Sequence, residues 1–176
     1  ECALTKLDVS GNPMSGSMLM RALKFNHSLT SLNVCGTEVD DDGMRALGEL
    51  LLAPSCPCPM KLLACDHYEV LEDTQQLDFS GKALSSGALT LLFGILKLNE
   101  SVTSLNLSSV GIDAAAAKSL EVAISTNHTI GTLDLRGNAK LWQYGGGGEG
   151  GGEGGGGAAS DDQSGLEAIA RGLLLN

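Results

Sequence analysis

Val102-Thr103-Ser104-Leu105-Asn106-Leu107 carries apolar side chains at its first, fourth and sixth positions, and the same phase returns along the chain. Ile130 stands before Leu133-Asp134-Leu135, Thr74 before Leu77-Asp78-Phe79, Leu29 before Leu32-Asn33-Val34, and Leu4 before Leu7-Asp8-Val9. A weaker copy holds Met60, Leu63 and Cys65. Such short alternation marks a half-buried strand. Its return at a near-constant interval implies stacked strand-plus-helix units, none of which can bury its apolar face alone.

Working outward from the strands, most units carry a helix signal. Ser15 is placed as the N-cap of a helix over Gly16 to Phe25, with Leu19 and Leu23 one turn apart on its buried face. Asp40, Asp41 and Asp42 precede a helix carrying Leu47 and Leu51. These acids read as a cap with a favourable helix dipole, because a calcium loop would need further ligands and a closing Glu that the sequence lacks. Ser85 and Ser86 precede a helix with Leu92 and Leu96 inward, and Asp113 caps an alanine-rich one with Leu120 and Ile124 inward. Only 14 residues separate Met60 from Thr74. No helix fits there, so residues 54–73 read as an irregular repeat and loop, a strand followed by an irregular turn.

The last unit is interrupted. Residues 141–164 form a Gly-rich flexible insertion, with Glu149 and Glu153 inside its glycine run. Asp161 and Asp162 then restart a helix expected to turn Ile169 and Leu173 inward. A second pattern keeps step with the first: Asn26, Asn99, Asn127 and Asn176 each follow one buried apolar position by seven residues and another by three. The sequences Asn26-His27-Ser28, Asn99-Glu100-Ser101 and Asn127-His128-Thr129 match the glycosylation sequon. Their shared place favours a local account, in which Asn ends a helix in the left-handed conformation.

These residues resemble the leucine-rich repeat family, in its ribonuclease-inhibitor-like class. Leu105-Asn106-Leu107-Ser108-Ser109-Val110-Gly111-Ile112 and Leu7-Asp8-Val9-Ser10-Gly11-Asn12-Pro13-Met14 follow its strand-and-turn signature. The pitch of 28 residues from Thr74 to Val102 and from Val102 to Ile130 fits that class, and the 25 from Leu4 to Leu29 is slightly short. The asparagine after the strand is present at Asn12 and Asn138 and replaced by Thr37, Tyr68, Lys82 and Val110 elsewhere. The resemblance implies an α/β solenoid, a horseshoe segment of about six strands lying side by side in one curved sheet. Its strands are parallel on the concave face and its helices lie on the convex face. Residues 1–176 read as a single domain, an internal slice of a longer chain that begins with Glu1. Both ends of the stack lack a polar cover, which predicts self-association.

Members of the family mostly bind proteins. The class includes ribonuclease inhibitors, Ran GTPase-activating proteins, innate immune sensors and structural subunits of ciliary axonemes, and the repeat does not choose among them. The reading is a non-catalytic interaction scaffold, a structural subunit or docking module of a larger cytoplasmic assembly, with cytoskeletal and ciliary settings in the family's range. The alternatives are a GTPase-activating regulator and the ligand-sensing repeats of an immune-type receptor.

Residues between the inward leucines project onto the concave face. The expected binding surface there is Lys6, Asp8, Asn33, Gln76, Asp78, Asn106, Thr132, Asp134 and Arg136, with Trp142 and Tyr144 at the rim. It is polar, mildly acidic and free of aromatic residues, and Arg136 is its one anchor of the kind strong interfaces use.

Composition narrows the partners. The chain carries 11 Lys and Arg against 21 Asp and Glu, a net charge of −10. Phosphate binding draws on Lys and Arg, so nucleic acid is not an expected partner. No stretch approaches the roughly 20 continuous apolar residues of a membrane span, and no secretory signal is visible, so no membrane partner is expected either. Cys2, Cys35, Cys56, Cys58 and Cys65 are odd in number and irregular in spacing, which reads as reduced thiols in a cytosolic setting. Cys56, Cys58, Cys65 and His67 offer zinc ligands. Cys65, however, occupies an inward apolar position, so neither a metal nor another cofactor is expected. His27, His67 and His128 are dispersed, with no phosphate loop or acid–base pair, and the chain reads as no enzyme.

Overall fold

Seven strands and five helices alternate through the part of the chain that the structure, a computed structural model, describes: residues 4–141 and 164–175. They are β1 (Lys6–Asp8), α1 (Gly16–Leu23), β2 (Ser31–Asn33), α2 (Asp41–Leu52), β3 (Leu62–Ala64), β4 (Glu69–Val70) and β5 (Gln76–Asp78). There follow α3 (Ser86–Leu96), β6 (Ser104–Asn106), α4 (Ala114–Thr126), β7 (Thr132–Asp134), a 3-10 turn at Ala139–Leu141, and α5 (Ser164–Leu175).

The six strands of the leucine pattern pair in parallel, β1 with β2 and β2 with β3, then β5 with β6 and β6 with β7. Their central residues align, Leu7 with Leu32 and Leu63, and Leu77 with Leu105 and Leu133. The expectation of one sheet with about six strands is corrected. β4 turns back antiparallel on β3, pairing Val70 with Leu63, and leaves a four-stranded and a three-stranded sheet. The cause is chain length, since a parallel crossover needs a dozen or more residues and only 11, residues 65–75, lie between β3 and β5. Tyr68 closes this turn, its ring edge-on to Phe79 at 5.7 Å and its hydroxyl donating to the Ala88 carbonyl at 2.9 Å.

The helices lie in a row in chain order. With no helix after β3, α2 packs straight against α3, and glycines permit the approach. A Cβ on Gly48 would lie 2.5 Å from the Thr90 backbone, and one on Gly94 3.0 Å from the Gly48 carbonyl. Covered on both sides, α3 is buried from Gly87 to Leu96. Val102, Leu105, Leu107 and Ile112 complete the dry centre beneath it.

Caps follow the sequence at Asp40, Ser85 and Asp113, whose side chains accept from the N–H groups of Gly43, Ala88 and Ala116. Ser15 occupies the N-cap of α1 without capping it, because its hydroxyl pairs with that of Ser17 at 3.0 Å. Helix α1 stops at Leu23, short of Phe25. Two positions expected inside are exposed, Leu4 at 46% and Leu173 at 62%. β1 has a neighbour on one side only. In α5 it is Gly172 that meets Ile124, which turns Leu173 outward. The left-handed reading of the repeat asparagines is also corrected, since among the described residues the one non-glycine with positive φ is Ser109.

Candidate functional site

On the strand face away from the helices, Asp8 lies beside Asn33, and Asn106 lies between Asp78 and Asp134. Each spends one side-chain oxygen on its own chain. Asp8 Oδ1 accepts from Ser10 N–H at 2.9 Å, Asn33 Oδ1 from Cys35 N–H at 3.0 Å, and Asp78 Oδ1 from Ser80 N–H at 2.9 Å. Asn106 and Asp134 accept likewise from the N–H groups of Ser108 and Arg136, both at 3.0 Å. These Asx turns start the bend out of each strand. They also hold one oxygen of each carboxylate in place. Asn33 Nδ2 ties its strand to the one before by donating to Asp8 Oδ2 at 3.0 Å.

The same bonds keep the acids ionised. The Ser10 hydroxyl and N–H hold Asp8 below the usual carboxylate range, and the Ser80 N–H and hydroxyl do so for Asp78. The Arg136 guanidinium, with its own N–H, pushes Asp134 down to about 2. Arg136 places Nε 3.0 Å and a terminal nitrogen 2.6 Å from that carboxylate. The one arginine anchor is therefore already engaged, though 86% of its side chain stays exposed.

The expected surface is divided by β4. Lys6, Asp8 and Asn33 belong to the first sheet, and Gln76, Asp78, Asn106, Thr132 and Asp134 to the second, with Arg136 two residues past its last strand. Gln76 and Thr132 share a row with Ser104, all at the matching register position. Lys6 reaches across to Glu72 at 3.9 Å, beside a cleft of about 290 Å³ whose other ion pair joins Lys61 to Glu100 at 2.7 Å. Trp142 and Tyr144 lie outside the described residues.

Two further acids, Asp66 and Glu69, join this face. Asp66 accepts from Gly36 N–H at 2.8 Å through its carboxylate, where the matching glycines Gly11 and Gly81 donate to the main-chain oxygens of Cys35 and Ser108. Glu69 arrives on β4, a strand without the leucine signature. The repeat phase places Asp66 in the flanking row of Ser10, Cys35, Ser80, Ser108 and Arg136, whereas nothing in that phase marks Glu69. Partial burial, together with Asp66, Glu69 and Asp8, pushes the Cys35 thiol up. Cys58 and Cys65 are buried, and the Cys58 thiol points at the Leu29 carbonyl, 3.6 Å away. Among the described residues no three His, Cys, Asp or Glu are grouped so as to hold a metal ion. What the arrangement provides chemically is a set of fixed, ionised hydrogen-bond acceptors.

A family model described as "Leucine Rich repeat" matches residues 25–48, which span α1's exit, β2 and the start of α2. NACHT, LRR and PYD domains-containing protein 3 of Mus musculus is 31% identical over 134 residues, covering 69% of this chain. This chain is a leucine-rich repeat protein. Protein 5 of the same name series from Homo sapiens is 28% identical over 133 residues, covering 68% of the chain. The leucine-rich repeat chain spans 13% of the length of the mouse relative and 11% of the human one. Among solved structures, the tropomodulin C-terminal domain of Caenorhabditis elegans aligns over 97% of this chain and 85% of its own, at 13% identity and a TM-score of 0.37. Leucine-rich repeat domains are in general non-catalytic modules that bind other proteins. Among the described residues, no helix is long and apolar enough to cross a membrane.

Proposed function

We propose that this chain is a non-catalytic docking module whose strand face receives a basic protein surface within a larger assembly. In this reading the two parallel strand runs and the helix row are consecutive turns of one curved solenoid, the strands lining its concave side. The observation that carries it is the fixed row of Asp8, Asp78 and Asp134, each carboxylate held by its own backbone and kept charged. Rigid acceptors lose little entropy when a partner's Lys or Arg arrives, and opposite charge speeds and orients the encounter. Trp142 and Tyr144 remain rim candidates on their residue type.

The test keeps the Asx turns and removes the charge. Asp8→Asn, Asp78→Asn and Asp134→Asn each retain an Oδ1 for the turn. Cross-linking of the wild-type chain in native extract should capture basic partners that the triple variant loses, with thermal stability little changed. Capture of the same partners by both proteins would overturn the docking face. A second reading, the ligand-sensing repeats of a larger receptor, is supported by the likeness to the NACHT, LRR and PYD domains-containing proteins.

A further inference from the structure

At four junctions of the repeat, two consecutive N–H groups entering a strand converge on one carbonyl of the strand before. Thr30 and Ser31 donate to Thr5, Lys61 and Leu62 to Thr30, Thr103 and Ser104 to Gln75, and Gly131 and Thr132 to Thr103, all between 2.8 and 3.1 Å. β5 breaks this rule. Its equivalents, the N–H groups of Gln75 and Gln76, have no acceptor among the described residues. The corresponding carbonyl, that of Lys61, takes the Asn99 side-chain amide at 3.0 Å instead. Gln75 C=O and Phe79 N–H bond to β6, so the N–H and C=O groups of the alternate residues Gln76 and Asp78 face the opposite edge, again unpaired among the described residues.

The space beside that edge is open. A Cβ on Gly36 would lie 3.6 Å from the Gly11 nitrogen, and one on Gly137 would strike the Ser109 hydroxyl, in each case the turn of the preceding unit. At the matching Gly81 a Cβ would meet nothing within 4 Å. Gln75, Gln76, Asp78 and Ser80 are exposed, while Leu77 and Phe79 between them are buried. The edge is also internal to the chain, since β1 to β4 precede it and β6 and β7 follow. An open strand edge of this kind is a template for another strand.

We infer that the open edge of β5 receives an extended segment of a basic partner protein, which adds as a strand and supplies the carbonyl that Gln75 and Gln76 lack. Charge selects this occupant. Residues 66–78 hold Asp66, Glu69, Glu72, Asp73 and Asp78 and no Lys or Arg. Among the described residues only Glu72 of these five is in an ion pair, a loose one with Lys6 at 3.9 Å. Lys82, whose charge Asp78 feels, keeps its ammonium 5.7 Å over the Phe79 ring. A second copy of this chain would bring the same acids and a net charge of −10 against them, which like-charge repulsion opposes. In the parallel sense of the leucine strands, the incoming residue beside Leu77 points inward and those beside Gln76 and Asp78 point outward. The partner therefore carries an uncharged side chain beside Leu77 and Lys or Arg beside Asp78. This goes beyond the acidic face, because main-chain groups of β5 hold the partner whether or not Asp8 and Asp134 take part.

Amide hydrogen exchange on the isotope-labelled 176-residue chain tests this. In the free chain the Gln75, Gln76 and Asp78 amides should exchange at close to unstructured rates, while those of Phe79, Thr103 and Ser104 are protected. The probe is a short acetylated peptide alternating Lys with Thr, and it should slow the three edge amides by about tenfold or more. The same peptide N-methylated at its Thr residues keeps its charge, loses the main-chain donors that face β5, and should protect none of them. Gln76→Pro removes an edge donor that bonds nothing in the free chain, so the melting temperature should hold while protection by the peptide is lost. Should that variant melt early, the two peptides on the wild-type chain decide alone. Three results would overturn the inference: edge amides as protected in the free chain as Thr103, a parent peptide that leaves them unchanged, or an N-methylated peptide that protects them equally. A peptide that shifts the Asp8 and Asp134 resonances without protecting the edge would remove the added strand and leave the acidic docking face standing.

Discussion

Asn127 donates from its side-chain amide to the main-chain oxygen of Asn99, 2.9 Å away and one repeat earlier. A second bond from the same nitrogen reaches the Leu96 carbonyl at 2.7 Å, while Oδ1 accepts from Thr129 and Ile130 N–H, both at 2.9 Å. Asn99 repeats the scheme, accepting from Ser101 and Val102 N–H and donating to the Lys61 carbonyl. One buried side chain thus joins a helix end, the strand that follows and the turn before it. The amide nitrogens of the sequons at Asn99 and Asn127 are spent on the fold.

Asn127→Ala should lower unfolding free energy by about 3 kcal/mol, because it strands buried N–H and C=O groups as well as removing bonds. Asn127→Asp should be little better, since a carboxylate can serve the two strand N–H groups but meets two carbonyls with no donor. Urea denaturation reads both. A loss below about 1 kcal/mol for the alanine variant would mean that water replaces the amide.

Gly48→Ala sets two effects against each other. Helix propensity favours alanine over glycine by roughly 1 kcal/mol. The added Cβ, however, would lie 2.5 Å from the Thr90 backbone, which no rotamer change relieves. Separation of α2 from α3 should win, costing about 2 to 4 kcal/mol, as overpacked cores do at the upper end. A melting temperature equal to or above that of the wild type would show that the two helices can slide apart freely.

The parallel strands, their register and the inward leucines were legible because each depends on a local period that the sequence repeats. The break in the sheet was not. It arises where the chain between β3 and β5 is too short for a helix, and only tertiary packing decides that Tyr68 and Val70 fold back over β3. The close α2–α3 contact follows from that break, so Gly48, Gly87 and Gly94 looked like ordinary helix glycines until α3 was placed beside them. The acidic face was legible residue by residue. Its second job was not, because an Asx turn and a binding carboxylate use the same residue at the same place.

Ser109 offers a gain in stability. Gly11, Gly36, Gly81 and Gly137 occupy the position two residues past the last inward apolar of their strands, with φ between 65 and 73°. In the fourth of these turns along the chain Ser109 takes that place at φ 57°. A left-handed conformation costs a residue with a Cβ roughly 1 to 2 kcal/mol, against 0.5 to 1 kcal/mol for the extra freedom glycine has when unfolded. Ser109→Gly should therefore stabilise the protein by about 0.5 to 1 kcal/mol. A lower urea midpoint would show that the hydroxyl contributes more than the strain removes.

Acid should weaken the fold through its outer acids before it reaches the core. Asp134 stands near 2 against an ordinary value of 3.8, and Asp8, Asp41, Asp78 and Glu100 are all lowered. A carboxyl whose value falls on folding stabilises the folded state above its unfolded value and stops doing so as pH drops through the folded one. The urea midpoint should accordingly be flat near neutral pH and decline from about pH 4 toward pH 2. Three of these five acids, Asp8, Asp78 and Glu100, are exposed, so added salt should shrink the decline. Asp134→Asn keeps the turn acceptor, loses the partner of Arg136, and should make the acid limb shallower while barely moving the neutral midpoint. An acid limb as steep in that variant as in the wild type would place the loss elsewhere, at Asp41, which the Ser85 hydroxyl, Arg45 and the Gly87 N–H hold between α2 and α3.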